Sequence, residues 1–382
     1  MWVRTLCETA EGEWVSKESG LPGDPGLVLF FGPTDLLKSS AAPSRLRRKF
    51  PSAIQVGCST CTAVDSGELV EKRITSLVVG FDHTRLKLAT QHLEGPEASH
   101  KAGFALGQQL LAPDLAAVFV ISEGLGVNGS GLVAGLVEAC GPEIAVSGGM
   151  AGDGARFADT VVLAGAARGD KLVAAIGFYG SKIRLGHGTA GGWDEFGPIR
   201  RITRSEGTVL AELDGKPALD LYERYLGDEA AELPASGLFY PLKIWDPTHP
   251  EDEVVRTVLS VDRAARTMTF AGDIPEGWNA RLMRGSFDRL TEGAAEAALH
   301  ARAQLNLTGE TPALCLFVSC VGRRLLMGQR TEDEIEAVAE VLGAATPIAG
   351  FYSYGEISPS NRSGACGLHN QTVTLTLLAE AA

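Results

Sequence analysis

Leu316-Phe-Val-Ser-Cys-Val-Gly-Arg-Arg-Leu325, read together with Gly350-Phe-Tyr-Ser-Tyr-Gly-Glu356, decides how the rest of the chain is understood. The first stretch opens as an apolar run of strand length and breaks into Cys320, Gly322 and two arginines. The second ends another short strand and sets Tyr352, Tyr354 and Glu356 on a glycine-punctuated turn. In open α/β sheets ligands bind beyond the carboxyl ends of the strands, and both stretches deliver polar groups there.

Working outward, the same order of elements occurs twice. In the second half a helix at 290–305 leads to the apolar strand 313–319, the loop 320–330, a helix at 331–342 and a strand at 348–350. Thr331 and Glu334 have capping-box spacing, and Gly343 stands where a left-handed residue ends a helix. In the first half a helix at 102–111 precedes the strand 116–121, a glycine loop, a helix at 131–140 and a strand at 144–147. Gly152-Asp153 and Gly355-Glu356 then match, each a glycine and a carboxylate after a strand. Upstream, 27–31 and 54–61 are strands around a helical segment at 35–50, while 70–81 and 84–92 are expected to pair. Between the halves, 201–213 reads as a hairpin and 217–225 as a short helix.

The expected class is therefore α/β with mixed sheets, in two pseudo-repeated modules. Residues 1–26 are expected to be a loose leader, with domains over 27–205 and 206–382. A chain of 382 residues is long enough for two cores.

A net charge of -13 argues against sequence-independent nucleic-acid binding, which needs a basic face. Seven cysteines, several inside apolar runs, suit a reduced compartment. With no signal-like start and no apolar run of spanning length, a cytoplasmic protein is expected.

Four motifs carry candidate chemistry. Gly124-Leu-Gly-Val-Asn-Gly129 matches a dinucleotide fingerprint in form, but Asp153 falls too late to be its acidic partner, so a plain strand-to-helix turn is preferred. Cys58-Ser-Thr-Cys61 has dithiol spacing without a second pair to complete a zinc site. Cys320 with His369 would make a nucleophile and base, although no triad signature accompanies them. Arg323, Arg324 and Glu356 together would suit a zwitterion such as an amino acid.

With these residues in view, the chain resembles the FIST family of sensory proteins. The N-terminal FIST pattern is carried by Gly57-Cys-Ser-Thr60, Ser147-Gly-Gly-Met-Ala-Gly-Asp153 and Gly191-Gly-Trp193. The C-terminal pattern is carried by Ser319-Cys-Val-Gly-Arg-Arg324, Gly350-Phe-Tyr-Ser-Tyr-Gly-Glu-Ile357 and Leu368-His-Asn-Gln-Thr372. Cys61 stands where a small residue other than cysteine is expected. The resemblance implies a cytoplasmic small-molecule sensor in signal transduction, an amino acid being one ligand class, with no catalysis and no cofactor of its own. Some relatives are linked to haem and nitric-oxide sensing with a histidine kinase, so haem through His369 is the alternative, and catalysis by Cys320 a third reading. With no output segment in the sequence, a partner would carry the signal. Membrane and nucleic acid are not expected partners. The ligand is expected near Cys320, Arg323, Tyr352, Glu356, His369 and Asn370, with Cys58, Ser59, Thr60 and Asp153 at a pseudo-equivalent N-terminal site. Gly191-Gly192 is the expected hinge.

Overall fold

Strands that are apolar along their whole length can only be buried on both faces, and they organise the fold. In the computed structural model, which describes residues 1–9, 12–16, 20–305 and 312–381, every residue of Leu27–Gly32 and of Leu314–Cys320 is buried. Each starts a parallel pair with a strand reached through helix: Leu27–Gly32 with Ile54–Ser59, Leu115–Ser122 with Ala145–Met150, and Leu314–Cys320 with Ile348–Ser353.

The mixed α/β class is as read, and the repeat extends to a further copy. Each parallel pair is followed by a short hairpin and by a closing strand antiparallel to the first of the pair, namely Thr75–Gly80, Leu172–Tyr179 and Val373–Glu380. Each closing strand is flanked by a strand that precedes the pair in the chain: Trp2–Glu8, Arg85–His92 and Ile183–Ala190. The hairpins are exchanged between these three units. Ala63–Val70 of the first extends the sheet of the third, Val162–Gly169 of the second extends the first, and Glu356–His369 of the third extends the second. Gly57, Gly148 and Gly350 hold the same place in each unit. A Cβ there would lie 2.4, 1.9 and 1.7 Å from the carbonyl oxygens of Phe30, Val120 and Phe317, so only glycine lets the paired strands approach.

An eight-stranded antiparallel sheet over residues 193–285 is inserted between Ile183–Ala190 and the helix Phe287–Leu305, with its own core around Ile202, Leu210, Tyr222 and Phe270.

Four expectations change. Residues 2–8 are not a leader but a sheet strand in register with Thr75–Gly80. The boundary at 205 falls inside the strand Trp193–Glu206. Thr75–Gly80 and Arg85–His92 do not pair, because the chain passes from one sheet to the next between them. Residues 321–327 are a helix rather than loop.

Candidate functional site

The carboxyl ends of the three parallel pairs meet. The Gly152 N–H donates to the Ser59 carbonyl at 2.9 Å, the Tyr354 N–H to that of Met150 at 3.2 Å, and the Thr60 hydroxyl to that of Tyr352 at 2.8 Å. This ring of contacts absorbs the expected N-terminal site. Cys58 is packed in the main core with its thiol pushed up by burial, and Ser59 accepts the Val161 N–H at 3.0 Å. Asp153 accepts the N–H groups of Ala158 (3.1 Å) and Asp159 (2.9 Å) and the Tyr354 hydroxyl. Ser59, Thr60 and Asp153 therefore clasp the loops together with hydrogen bonds made inside the fold, and Cys58 is a core residue, so the expected N-terminal ligand site is filled by the protein's own contacts. All seven cysteines are free, so Cys58 and Cys61 form no disulfide.

Arg323 and Tyr352 also face inward. Arg323 is fully buried and donates from Nε to Glu334 Oε1 at 2.6 Å, from Nη2 to the Leu290 carbonyl at 2.8 Å and from Nη1 to the Gly191 carbonyl. The Tyr352 hydroxyl and Ser319 complete the ring around Glu334, at 2.9 and 3.0 Å. The ion pair of Arg323 is thus with Glu334, not with a ligand beside Glu356. Glu334 has turned into the core instead of capping its helix, and the Thr331 hydroxyl donates to the Gly328 carbonyl at 2.6 Å. Arg324 reaches back to Glu71 and Thr62 of the first unit. Gly191 and Gly192 are pinned rather than hinged. A Cβ on Gly192 would lie 1.9 Å from the Arg289 carbonyl, and the Trp193 indole donates to the Gln371 carbonyl at 2.7 Å.

Three expected residues do come together: Cys320, Glu356 and His369. Glu356 is fully buried, accepts from Ser353 at 2.5 Å and from the Thr372 hydroxyl at 3.0 Å, and is held up at about 8 by burial. His369 lies opposite Glu356 in the hairpin, contacts the Ser358 carbonyl through Nε2 at 3.0 Å, and is lowered to about 4 by burial. The Cys320 thiol is near Glu356, and burial pushes it well up. Burial of this kind works against a reactive thiolate. Asn370 is fully buried, and neither polar atom of its amide has a partner among the described residues. Native structures seldom leave such a group unmet.

His369 and Thr372 are also the floor of the cleft between the inserted sheet and the third unit, with a volume of about 570 Å³. Thr189 to Trp193 form one wall, the inserted sheet brings Glu195, Lys243, Glu253 and Met283, and the third unit adds Asn361 and Arg362. Lys243 bridges Glu195 at 2.6 Å and Glu253 at 3.2 Å. Sequence reading missed these last groups because they alternate along strands of an ordinary surface sheet. Ser353 and Thr372, in contrast, stood inside the quoted motifs. The glycine loop 124–129 is a packed turn: the Glu123 carboxylate takes the Leu125 and Gly126 N–H groups, and Asn128 caps the next helix. Among the described residues no cluster that could hold a metal ion is present.

The FIST N domain matches residues 26–216 and the FIST C domain residues 218–359, the second stopping just short of His369. This chain belongs to the FIST family. FIST domains are associated with signal-transduction sensing and small-ligand binding. Two uncharacterised proteins of Mycobacterium tuberculosis are each 26% identical over 251 residues, 63% of this chain, and the chain spans 62% of the length of those relatives. Two solved cyanuric acid hydrolase structures, one from A. caulinodans, align over the chain with TM-scores of 0.33 and 0.32 at 11% and 10% identity. The first alignment covers 99% of this chain and 98% of that one; the second covers 100% and 99%. Such scores carry no argument about chemistry. In FIST terms the cleft lies where the end of FIST N, at Gly191–Glu195, meets the strands of FIST C.

Proposed function

We propose that this FIST protein senses a small polar molecule, an amino acid being the leading class, in the cleft above His369 and Thr372, and performs no chemistry on it. The observation that carries this reading is convergence. Gly191-Gly-Trp193 and two residues of Leu368-His-Asn-Gln-Thr372, His369 and Thr372, far apart in sequence, meet at one cleft. Lys243 and Arg362 could meet a carboxylate, and Glu195 and Glu253 an ammonium group. No helix among the described residues is long and apolar enough to cross a membrane. A cytoplasmic location and a separate output partner, such as a histidine kinase, complete the proposal.

We favour a haem-free site, because Glu195, Glu251, Glu253 and Glu296 outnumber Lys243 and Arg362 in the cleft, where haem propionates would call for positive charge.

The test is a thermal-shift screen of the twenty amino acids. At 100 times its Kd a ligand adds about 2.7 kcal/mol to stability. The expected result is stabilisation by one amino-acid class that Lys243→Ala or Glu253→Gln abolishes. Stabilisation that both variants retain, or none from any amino acid, would sink the cleft assignment.

A further inference from the structure

Side chains alternate along a strand, so the hairpin strand Cys366–His369 has two faces. His369 faces the charged cleft, and Leu368 faces a different cavity of about 280 Å³. Its walls come from three parts of the chain. The second unit gives Leu125, Val127 and Met150, the inserted sheet Leu259 and Phe270, and the third unit Tyr354 and Leu368. No charged side chain lines it among the described residues. Of its few polar groups, the Asn128 amide is already used, accepting from the Gly131 N–H at 3.1 Å and donating to Asp273 at 3.2 Å.

Three features mark this cavity as built to receive something. Leu125, Phe157 and Leu259 line it yet remain 42%, 41% and 41% exposed, so water is left against apolar surface from three directions. Phe157 stacks on Tyr354, ring centroids 4.5 Å apart and planes 12° from parallel, giving a flat aromatic wall. Phe157 also sits at φ +47°, a conformation a bulky residue rarely adopts, and its N–H donates to the Tyr354 hydroxyl at 3.2 Å. That hydroxyl is fixed in turn by Asp153 and by the Gly154 carbonyl at 2.8 Å, so Asp153 positions the aromatic wall from behind.

We propose that this cavity binds a small, neutral, planar aromatic molecule of the size of indole or naphthalene, lying against the Phe157–Tyr354 pair. A cavity of ~150 Å³ holds benzene, so about twice that volume suits a fused two-ring molecule. The absence of charge in the lining sets it apart from the polar ligand of the cleft, and this second site does not depend on that reading.

The test is calorimetric titration of the full chain with indole and with naphthalene, repeated for Leu259→Trp, which plugs the mouth from an exposed position, and for Phe157→Ala. Binding of one equivalent is expected, weakened at least tenfold in each variant whose melting temperature is unchanged, and unaffected by Lys243→Ala. Indole-3-carboxylate is expected to bind at least tenfold more weakly than indole. Absence of binding up to the solubility limit, or binding that neither variant weakens, overturns the proposal. Concentration-dependent dimerisation that Leu259→Trp abolishes would also overturn it, by showing that a second copy covers the patch.

Discussion

Glu356 gives the fold an unusual stability profile whose sign can be worked out. Burial raises its carboxyl from 4.5 to about 8, so between those values the folded chain holds a proton that the unfolded chain has lost. Its contribution is complete below 4.5, declines by about 1.4 kcal/mol per pH unit, and is gone above about 8. His187 and His369 act in the opposite sense. Burial lowers each from 6.5 to about 4, so their contributions are complete above 6.5 and are lost as pH falls toward 4. Below 6.5 two rising slopes outweigh one falling slope; above 6.5 only the fall from Glu356 remains. Stability should peak near pH 6.5 and lose about 2 kcal/mol by pH 8, one and a half units at the stated slope. Glu356→Gln keeps the shape of the side chain and removes its proton, so its curve should stay level over that window. Urea denaturation at half-unit steps from pH 5.5 to 8.5 reads both curves. A wild-type profile that is flat or rising from 6.5 to 8, or a Gln variant that still falls, would refute the placement of a protonated carboxyl in this nest.

Two further outcomes test the frame around it. Gly148→Ala would place a Cβ 1.9 Å from the Val120 carbonyl and should abolish soluble folding, whereas Gly207→Ala, with open space around it at φ +54°, should cost only about 1–2 kcal/mol; melting temperature and soluble yield compare them. Arg323→Ala should destabilise by about 3–5 kcal/mol, because it strands the Glu334 carboxylate in the core, and Arg323→Met combined with Glu334→Leu should recover part of that loss in chemical denaturation.

Much of this was legible in the sequence, for a physical reason. Runs such as Leu27 to Phe31 and Ala313 to Val318 are apolar at every position, and burial on both faces leaves few other ways to read them. The strand Trp2–Glu8 was hidden because Arg4 and Glu8 interrupt its apolar face near the edge of a sheet. The further copy of the repeat was hidden because, among the described residues, the first unit shows no counterpart of the helices Ser99–Leu110 and Phe287–Leu305 between its flanking strand and its parallel pair. At the site, Cys320, Glu356 and His369 gather because each stands at the end of a strand. Tyr352 and Ser353 are neighbours in sequence but point to opposite faces, one to Glu334 and the other to Glu356. The helix that starts at Val321 carries Arg323 the same way as Tyr352. Composition around these residues holds no sign of which face each would take.

The exchanged hairpins change what the two FIST regions mean physically. Ala63–Val70 lies within the FIST N region yet completes the sheet that holds Cys320 and Ser353. Glu356–His369 begins in the FIST C region yet completes the sheet of the second unit, with Glu356 paired to Gly149. Each region therefore supplies an edge that the other would otherwise leave unpaired, an open edge being a liability for any sheet. On the proposed reading, a molecule resting on His369 and Thr372 presses on that shared hairpin. Strain there would reach the second unit through backbone hydrogen bonds, without a flexible joint, which fits the pinned state of Gly191 and Gly192. A sensor built this way would signal by shifting the packing of one cooperative body, with the hairpin as the element both sites bias.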